Sequence, residues 1–371
     1  MKAYWKGWFS LCYWPFLFGR SKNCEHLAFT MTTPLQTRIV KHIKSSGPLP
    51  LAEYMHWCMA DPKDGYYANQ TAIGAKGDFI TAPEISQMFG EMIGIWAVET
   101  WEMLGKPSRF NLVELGPGKG TLMQDLLRIG NAVPDFLKAA EVQMIETSEK
   151  LIDTQKQNLS EYENITWRTS LQDIPAQPTL IIANEFLDVL PIRQYIKAED
   201  EWREHAISID EKDNLVWTLG AEPDGAVFEI STIREAFITN SCDLLRQNQG
   251  AALFIDYGHG KTAFGDTVQA MRAHGYTDIL KEPGLADLTS HVDFDALAKI
   301  AKTSGMNVSP LAKQGEFLLA KGLIERAGQL GIIAPPEIQE QLTQQAERLA
   351  LPDEMGDLFK VLEFGTIKNK D

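Results

Sequence analysis

A glycine-rich turn within residues 112–123, LVELGPGKGTLM, constrains the fold of this chain more than any other stretch. An apolar run ends in Glu114, glycines follow at every second position, and good helix formers come next. Gly116, Gly118 and Gly120 allow the backbone to approach a ligand closely and to turn sharply into a helix. In parallel α/β sheets, ligands bind beyond the carboxyl ends of the strands. The stretch therefore predicts a strand, a ligand-binding turn and a helix.

The chain around this turn alternates between strand-like and helix-like segments. Apolar runs such as VQMIETS, TLIIANEFL and GAALFIDYG are separated by segments of helical period, such as STIREAFITNSCDLLRQNQ. This order predicts an α/β fold with a parallel, doubly wound, Rossmann-like sheet. Residues 192–230 alternate at period two between turns, which predicts a small antiparallel insert. MNVSPLA and QGEFLLAKGL are interpreted as a terminal hairpin.

Further patterns divide the chain into four parts. Residues 31–108 carry helical stretches around a long loop rich in Gly, Asp and Pro, which predicts a helical cap with a functional loop. The core is expected at 109–322 and a polar, helical C-terminal tail at 323–371. Residues 1–30 are expected to be disordered or an upstream extension, because their composition differs from the rest. Their apolar part is shorter than the ~20 residues of a membrane span, so no stable membrane insertion is expected.

Charge and cysteine content argue against several classes of protein. The formal net charge is −15, and the lysines and arginines form no cluster. This balance argues against a nucleic-acid partner, which needs a basic surface. The four cysteines include no pair at CxxC spacing, so neither a metal site nor a disulfide framework is predicted.

The spacing of the glycines discriminates between two classes of ligand. A dinucleotide fingerprint needs a third small residue at position 121, where Thr121 stands. The E-x-G-x-G-x-G pattern that starts at Glu114 instead resembles the first motif of S-adenosylmethionine-dependent methyltransferases. An acid there favours the ammonium and sulfonium groups of that ligand. Glu146 ends the next strand and can accept from both ribose hydroxyls, and Asp173 or Leu171 after the third strand could meet the adenine.

The stretch ANEFLDVLP at residues 183–191 holds the candidates for the acceptor site. In class I methyltransferases this strand end faces the transferred methyl group, so Asn184, Glu185 and Asp188 are placed where the acceptor must lie. Two carboxylates three residues apart can hold a cation or take a proton. The alternative is a helix N-terminus with capping acids, which is a common arrangement.

Five stretches taken in order carry a closer resemblance. They are KGDFITAPEIS at 76–86, VELGPGKGTLM at 113–123, ANEFLDVLP at 183–191, DLTSHVDFDAL at 287–297 and QGEFLL at 314–319. Together they resemble the MidA-type family of S-adenosylmethionine-dependent methyltransferases, over roughly residues 33–365. Mitochondrial members of that family are protein arginine methyltransferases that act as assembly factors for respiratory complex I.

The resemblance implies a class I methyltransferase fold, S-adenosylmethionine as the cofactor, and methylation of an arginine in a partner protein. It also implies a complex I subunit as the partner, and a cytoplasmic location for a bacterial-type protein or a mitochondrial one for a eukaryotic protein. Carboxylates hold a guanidinium by charge-assisted, bidentate hydrogen bonds. Glu185 and Asp188 are the first candidates for this role. Asp78 and Glu84 from the long loop are the second pair. The sequence does not contain the paired-glutamate loop of the better-known arginine methyltransferases, which leaves open which acid holds the guanidinium.

Two other functions stay open at this point. One is a non-catalytic assembly chaperone that binds S-adenosylmethionine, because an intact cofactor motif does not prove a working acceptor site. The other is a small-molecule or RNA methyltransferase, although the net charge of −15 argues against RNA. The sequence leaves both a monomer and a homodimer open.

Overall fold

The computed structural model describes residues 32–69, 81–198, 201–219 and 225–367. The predicted extension at 1–30 lies outside the described residues. Within the described ranges, no helix combines the length and the apolar character that crossing a membrane requires.

The N-terminal part is mainly helical, as far as it is described. Its elements are α1 (Pro34–Ser46), β1 (Leu49–Pro50), α2 (Leu51–Ala60), α3 (Tyr66–Asn69), α4 (Ala82–Ile85) and α5 (Gln87–Met103). Helix α1 begins where the sequence provides a cap, since the amide of Gln36 donates to Thr33 Oγ1 at 3.1 Å. Leu35, Ile39 and Ile43 form its buried face.

The middle of the chain alternates as the sequence predicts. Its elements are β2 (Phe110–Leu115), α6 (Thr121–Gly130), α7 (Pro134–Ala139), β3 (Ala140–Ile145), α8 (Glu149–Asn158), β4 (Ile165–Arg168) and β5 (Thr179–Asn184). The insert follows with β6 (Arg193–Ala198), β7 (Glu201–Glu204), β8 (Ala206–Ile209), β9 (Leu215–Trp217) and β10 (Val227–Ile230).

The remaining elements run from residue 232 to residue 365. They are α9 (Thr232–Asn248), β11 (Gly250–His259), β12 (Gln269–Arg272), β13 (Gly275–Thr277), β14 (Asp287–Thr289), β15 (Val292–Asp293), α10 (Phe294–Thr303), β16 (Asn307–Val308), β17 (Ala312–Lys313), α11 (Gln314–Ala320), α12 (Leu323–Gly331), α13 (Pro336–Ala350), α14 (Met355–Leu358) and β18 (Phe359–Gly365).

A central sheet organises these elements and positions the site. Its strands lie in the order β4-β3-β2-β5-β11-β18-β16. The strands from β4 to β11 are parallel, and β18 joins them antiparallel to β11. The chain proceeds from β2 outwards to β3 and β4, then returns to place β5 on the other side of β2. This reversal opens a crevice between the carboxyl ends of β2 and β5, where ligands bind in sheets of this kind.

Apolar side chains bury both faces of the sheet, which is why its strands are continuous apolar runs. Every residue of β2 is buried. Met92, Trp96 and Leu126 from α5 and α6 lie in the cluster on one face, and Ile238 and Leu297 from α9 and α10 lie in the cluster on the other. The two layers hold the strand ends, and therefore the crevice, in fixed positions.

The structure corrects three expectations about the second half of the chain. The predicted insert divides in the structure: β10, β6 and β7 form one sheet, and β8 lies between β1 and β9 in another. A further antiparallel sheet, β13-β12-β14, has no counterpart in the sequence prediction. The prediction of a terminal hairpin is wrong, because residues 314–320 form helix α11. This helix buries the consecutive residues Phe317 and Leu318, whereas a half-buried strand would bury alternate residues.

The segment 323–371, predicted as a helical tail, is only partly helical where it is described. It includes strand β18, which pairs over its whole length with residues Ala251 to Tyr257 of β11. Thus the C-terminal segment completes the central sheet. Strands β11 and β18 are more than 100 residues apart in the chain. The long polar helix α13 precedes β18, so the local sequence pattern did not indicate this strand.

Candidate active site

The glycine turn after β2 adopts a conformation that only glycine takes easily. Gly116, Gly118 and Gly120 have φ of +62°, +55° and +81°. A Cβ at Gly116 would lie 2.6 Å from Phe186 Cδ2, whereas a Cβ at Gly118 would have no neighbour within 4 Å. The turn at Gly118 therefore faces open space at the crevice, as a ligand-binding turn must.

Glu114 lies at the end of β2 and is almost completely buried. Its side-chain atom Oε2 has no hydrogen-bond partner among the described residues. Burial, with a further contribution from the charge of Glu146, raises its pKa to about 8. A buried carboxylate oxygen without a partner is costly, and a cationic ligand would remove that cost.

Glu146 follows β3 and is held in place by the backbone. The amides of Thr147 and Ser148 each donate to its Oε1 at 2.8 Å. Burial raises its pKa. Among the described residues, its Oε2 accepts only a longer bond of 3.3 Å from Gln155 Nε2, so this oxygen can accept from a ribose hydroxyl.

Gln155 on α8 connects the parts of this cofactor side, and sequence reasoning missed it. Its Nε2 donates to the carbonyl oxygen of Gly118 at 2.8 Å, in addition to its contact with Glu146. Its Oε1 accepts from Trp167 Nε1 at 2.8 Å. The side chain is fully buried and links the glycine turn to Glu146. No local pattern could have found it, because its partners lie on other elements.

The two adenine candidates differ in exposure. Leu171 is buried, whereas Asp173 is exposed at the end of a short 3₁₀ turn over Leu171–Asp173. Both follow β4, at the same edge of the sheet as Glu114 and Glu146. The assignment of either residue to the adenine stays a prediction.

Glu185 begins the turn after β5 in an uncommon backbone conformation, with φ of +48°. Its Oε1 accepts from the amide of Ala82 at 2.9 Å and from Asn184 Nδ2 at 3.0 Å. Burial, together with the charge of Asp188, raises its pKa to about 7. The contact with Ala82 brings the ANEFLDVLP and TAPEIS stretches together at the crevice.

Asp188 lies deeper in the same turn, with 3% of its surface exposed. Its Oδ2 accepts from the hydroxyl of Tyr257 at 2.8 Å, and its Oδ1 has no partner among the described residues. Burial raises its pKa. The turn itself is closed by Asp256, whose Oδ2 accepts from the amides of Leu187 and Asp188 at 2.9 and 3.1 Å.

Arg234 is a buried cation beneath this turn, and sequence reasoning missed it too. Its Nε donates to the carbonyl oxygen of Leu187 at 2.7 Å, and its Nη2 donates to that of Asp188 at 3.0 Å. It also donates to the backbone of His291 and to the hydroxyl of Ser290, both at 2.7 Å. It therefore holds the acceptor turn against the segment after β14.

The second predicted acid pair, Asp78 and Glu84, does not lie with the first pair as far as it is described. Asp78 lies outside the described residues. Glu84, on α4, accepts from Thr121 Oγ1 at 2.6 Å and from Lys119 Nζ at 3.2 Å. These partners belong to the glycine turn and the start of α6, so the structure brings Glu84 to the cofactor side of the crevice.

Tyr67 on α3 adds an aromatic side chain to the acceptor side. Burial raises its pKa, and the charges of Asp287 and Asp188 contribute to the same shift. The described part of the long loop thus supplies at least one side chain near the acids after β5.

The described residues fit S-adenosylmethionine. The unpaired Glu114 Oε2 suits its positive charge, the open space at Gly118 accommodates its amino-acid part, and Glu146 Oε2 is available to the ribose. Because β2 and β5 are adjacent and parallel, Glu185 and Asp188 follow a strand end that neighbours the one carrying Glu114.

Comparisons with known proteins agree with this geometry. A family model for S-adenosyl-L-methionine-dependent methyltransferases matches residues 92–311. Similar curated proteins are called protein arginine methyltransferase NDUFAF7, mitochondrial: that of Bos taurus is 34% identical over 95% of this chain and 87% of its own length. The Homo sapiens relative is 35% identical over 88% of this chain and 82% of its own length.

A solved structure is also similar over most of its length. It is a protein from Burkholderia thailandensis bound to S-adenosyl-homocysteine, with a TM-score of 0.78, 26% identity, and coverage of 90% of this chain and 92% of that one. The fold is therefore that of class I methyltransferases, and the cofactor is S-adenosylmethionine. The chain belongs to the MidA-type family of S-adenosylmethionine-dependent methyltransferases.

Proposed function

We propose that this methyltransferase acts on an arginine of a partner protein. The observation that carries the proposal is the unpaired Oδ1 of buried Asp188, next to Glu185 at the end of β5. Arginine is cationic at any working pH and presents a planar fork of N–H groups. Two carboxylates at the crevice can receive that fork by charge-assisted hydrogen bonds. The names of the similar curated proteins support the same acceptor.

The cofactor supplies an electrophilic methyl group on a sulfonium. In the transfer, a guanidinium nitrogen forms a bond to that carbon while the bond from carbon to sulfur breaks, and the nitrogen then loses a proton. Asp188 Oδ1 would accept one N–H and orient the fork. Glu185 would receive the proton, because a pKa raised to about 7 suits a general base near neutral pH.

We also propose the remaining roles that follow from the resemblance. Glu114 and Glu146 hold the cofactor, and Asp173 or Leu171 lies near its adenine. The partner is a protein, with a complex I subunit as the candidate. The similar curated proteins are mitochondrial, so the mitochondrion is the proposed location if the source is eukaryotic; the expected cytoplasmic location of a bacterial-type protein has no support from these relatives.

Transfer of radiolabelled methyl groups into a cell lysate tests the proposal. We expect one or a few labelled protein bands that release methylarginine after acid hydrolysis. An Asp188→Asn variant should bind the cofactor and label the same bands far more slowly.

Other results would identify a different function. Label in RNA or in small molecules would refute the protein acceptor, and label released as methyllysine would refute arginine. If the wild-type protein binds S-adenosylhomocysteine but labels nothing, the chaperone is the better description.

A further inference from the structure

Helix α4 lies between the two halves of the active site and contacts both. Its first residue, Ala82, donates its amide to Glu185 Oε1 at 2.9 Å on the acceptor side. Its third residue, Glu84, accepts from Thr121 Oγ1 at 2.6 Å and from Lys119 Nζ at 3.2 Å on the cofactor side. A piece of backbone only three residues long therefore connects the glycine turn to the proposed acceptor acid.

The helix is built as a stiff connector. Pro83 occupies its second position, where the ring fixes φ and needs no hydrogen bond. Ala82 is fully buried, and Ser86, directly after the helix, accepts from the amide of Met88 to cap α5. A displacement of Glu84 is thus transmitted to Ala82 rather than absorbed between them.

The outer side of α4 is not packed tightly. Glu84, Thr121 and Leu342 of α13 line a groove of about 620 Å³. The side chains of Lys119 and Glu84 are 31% and 18% exposed. An ion pair that is partly accessible to solvent contributes only modestly to stability, about 1 kcal/mol.

We infer that Glu84 is a positioning residue, which couples occupation of the cofactor turn to the orientation of Glu185. A ligand in the turn fixes the backbone that carries Lys119 and Thr121. Through Glu84 and α4, this in turn fixes the Ala82 amide against the Glu185 carboxylate. The inference rests on the proposed role of Glu185, and it assigns to Glu84 a task other than holding the acceptor.

Two consequences follow for binding. Bound cofactor should prepare the acceptor site, so it should raise the affinity for the acceptor. The coupling must also be reciprocal, since a ligand that stabilises one end of a two-state element favours binding at the other end equally. Removing the contacts of Glu84 should therefore separate two sites that each remain intact.

Hydrogen–deuterium exchange of residues 81–86 gives a direct measurement. In the wild-type protein, saturating S-adenosylhomocysteine should slow exchange of these amides at least about fivefold, the lower end of usual coupling. In Glu84→Ala, which lacks both contacts, the slowing should be mostly lost while the ligand still binds. Thr121→Val, which keeps the shape but removes the hydroxyl, should give a partial loss.

Kinetics and a matched control separate positioning from damage. In Glu84→Ala, kcat for methyl transfer should fall about tenfold with little change in KM for S-adenosylmethionine, as expected when orientation and not binding is lost. Glu84→Gln, which retains an acceptor oxygen for Thr121, should recover part of the rate. Glu99→Ala removes another acid that pairs with a lysine, Lys321, and should change neither measurement.

The outcomes are distinct. Equal slowing of exchange in wild type and Glu84→Ala, with methyl transfer intact, would overturn the coupling and leave the proposed function standing. Absence of arginine labelling by the wild-type enzyme would instead overturn the proposed acceptor. If Glu84→Ala proves unstable, Thr121→Val decides: exchange slowed as in wild type would contradict the inference, and a partial loss would support it.

Discussion

Replacement of Glu185 by glutamine is the sharpest test of the proposed acceptor site. The amide oxygen of glutamine can still accept from the amide of Ala82 and from Asn184 Nδ2, which donate to Glu185 at 2.9 and 3.0 Å. The change removes the negative charge and the capacity to take a proton. The fold, the turn after β5 and the cofactor side should therefore stay intact.

The size of the effect follows from the contact that is lost. A preorganised charged contact in a buried site lowers the barrier by ~2–4 kcal/mol. At 1.36 kcal/mol per factor of ten, this corresponds to about 30- to 1,000-fold in rate. Since Glu185→Gln also removes the proposed base, we expect methyl transfer to fall by about 100-fold or more, with cofactor affinity nearly unchanged.

The pH dependence provides a second readout of the same substitution. Burial raises the pKa of Glu185 to about 7, and only the deprotonated form can receive a proton. The wild-type kcat should therefore rise with pH and level off above about 7, and the variant should lack this rise. The assay is the initial rate of radiolabel transfer into the acceptor band, with calorimetry of S-adenosylhomocysteine alongside.

A control and a companion variant complete the design. Glu204→Gln alters an acid that pairs with Arg193 on the insert and should leave the rate unchanged. Asp188→Asn should slow transfer similarly, and the double variant should be less than additive because the two acids act as a unit. If both single variants keep full activity and the wild-type pH profile, the reasoning is refuted and the acceptor lies elsewhere.

Three further substitutions test the cofactor side and the buried charges. Gly118→Val should abolish S-adenosylhomocysteine binding in calorimetry, because the valine side chain enters the open space beside the turn. The positive φ of +55° at this position makes the substitution cost ~1–2 kcal/mol of stability. Binding of NAD by the wild type would contradict the cofactor assignment. Arg234→Met should lower the free energy of unfolding in urea by ~3–5 kcal/mol, whereas Arg193→Met, at an exposed pair, should cost about 1 kcal/mol or less. Because the pKa of Glu114 is raised from 4.5 to about 8 in the folded protein, its contribution to stability is full below 4.5 and is lost as the pH rises through 8. Glu114→Gln should flatten this decline in urea unfolding followed against pH, and an unchanged slope would contradict the assignment.

The parts of the site that the sequence predicts are those with local signals. Glu114 and the three glycines are neighbours in the chain, and their strand–turn–helix context is visible in the apolar pattern. Glu146 and Glu185 each follow an apolar run directly, so the parallel arrangement alone brings them to one edge of the sheet. The rule that strand ends meet at one edge is enough to predict them.

The residues that support the site have no such signal. Gln155 lies on a polar helix and resembles a surface side chain, yet it is buried and contacts Gly118 across 37 positions of the chain. Arg234 stands in the first turn of α9, where a charge is normally exposed, and the partners of its guanidinium lie 44 to 57 residues away. Only the folded arrangement identifies residues whose role is to hold others.

The charges buried around the crevice explain why this arrangement should select a cation. Glu114, Asp188 and Asp256 are buried there. Arg234 on α9 is a buried cation that interacts electrostatically with Asp256 and Asp188. Its N–H groups donate to carbonyl oxygens and to the hydroxyl of Ser290, so its described hydrogen bonds leave the carboxylate oxygens free for other partners. Burial raises the pKa of all three acids, so ionising them without cationic partners carries a free-energy cost. Positive ligands at both ends of the crevice, a sulfonium by Glu114 and a guanidinium by Asp188, would relieve it, whereas a neutral acceptor would leave the second carboxylate buried without a partner.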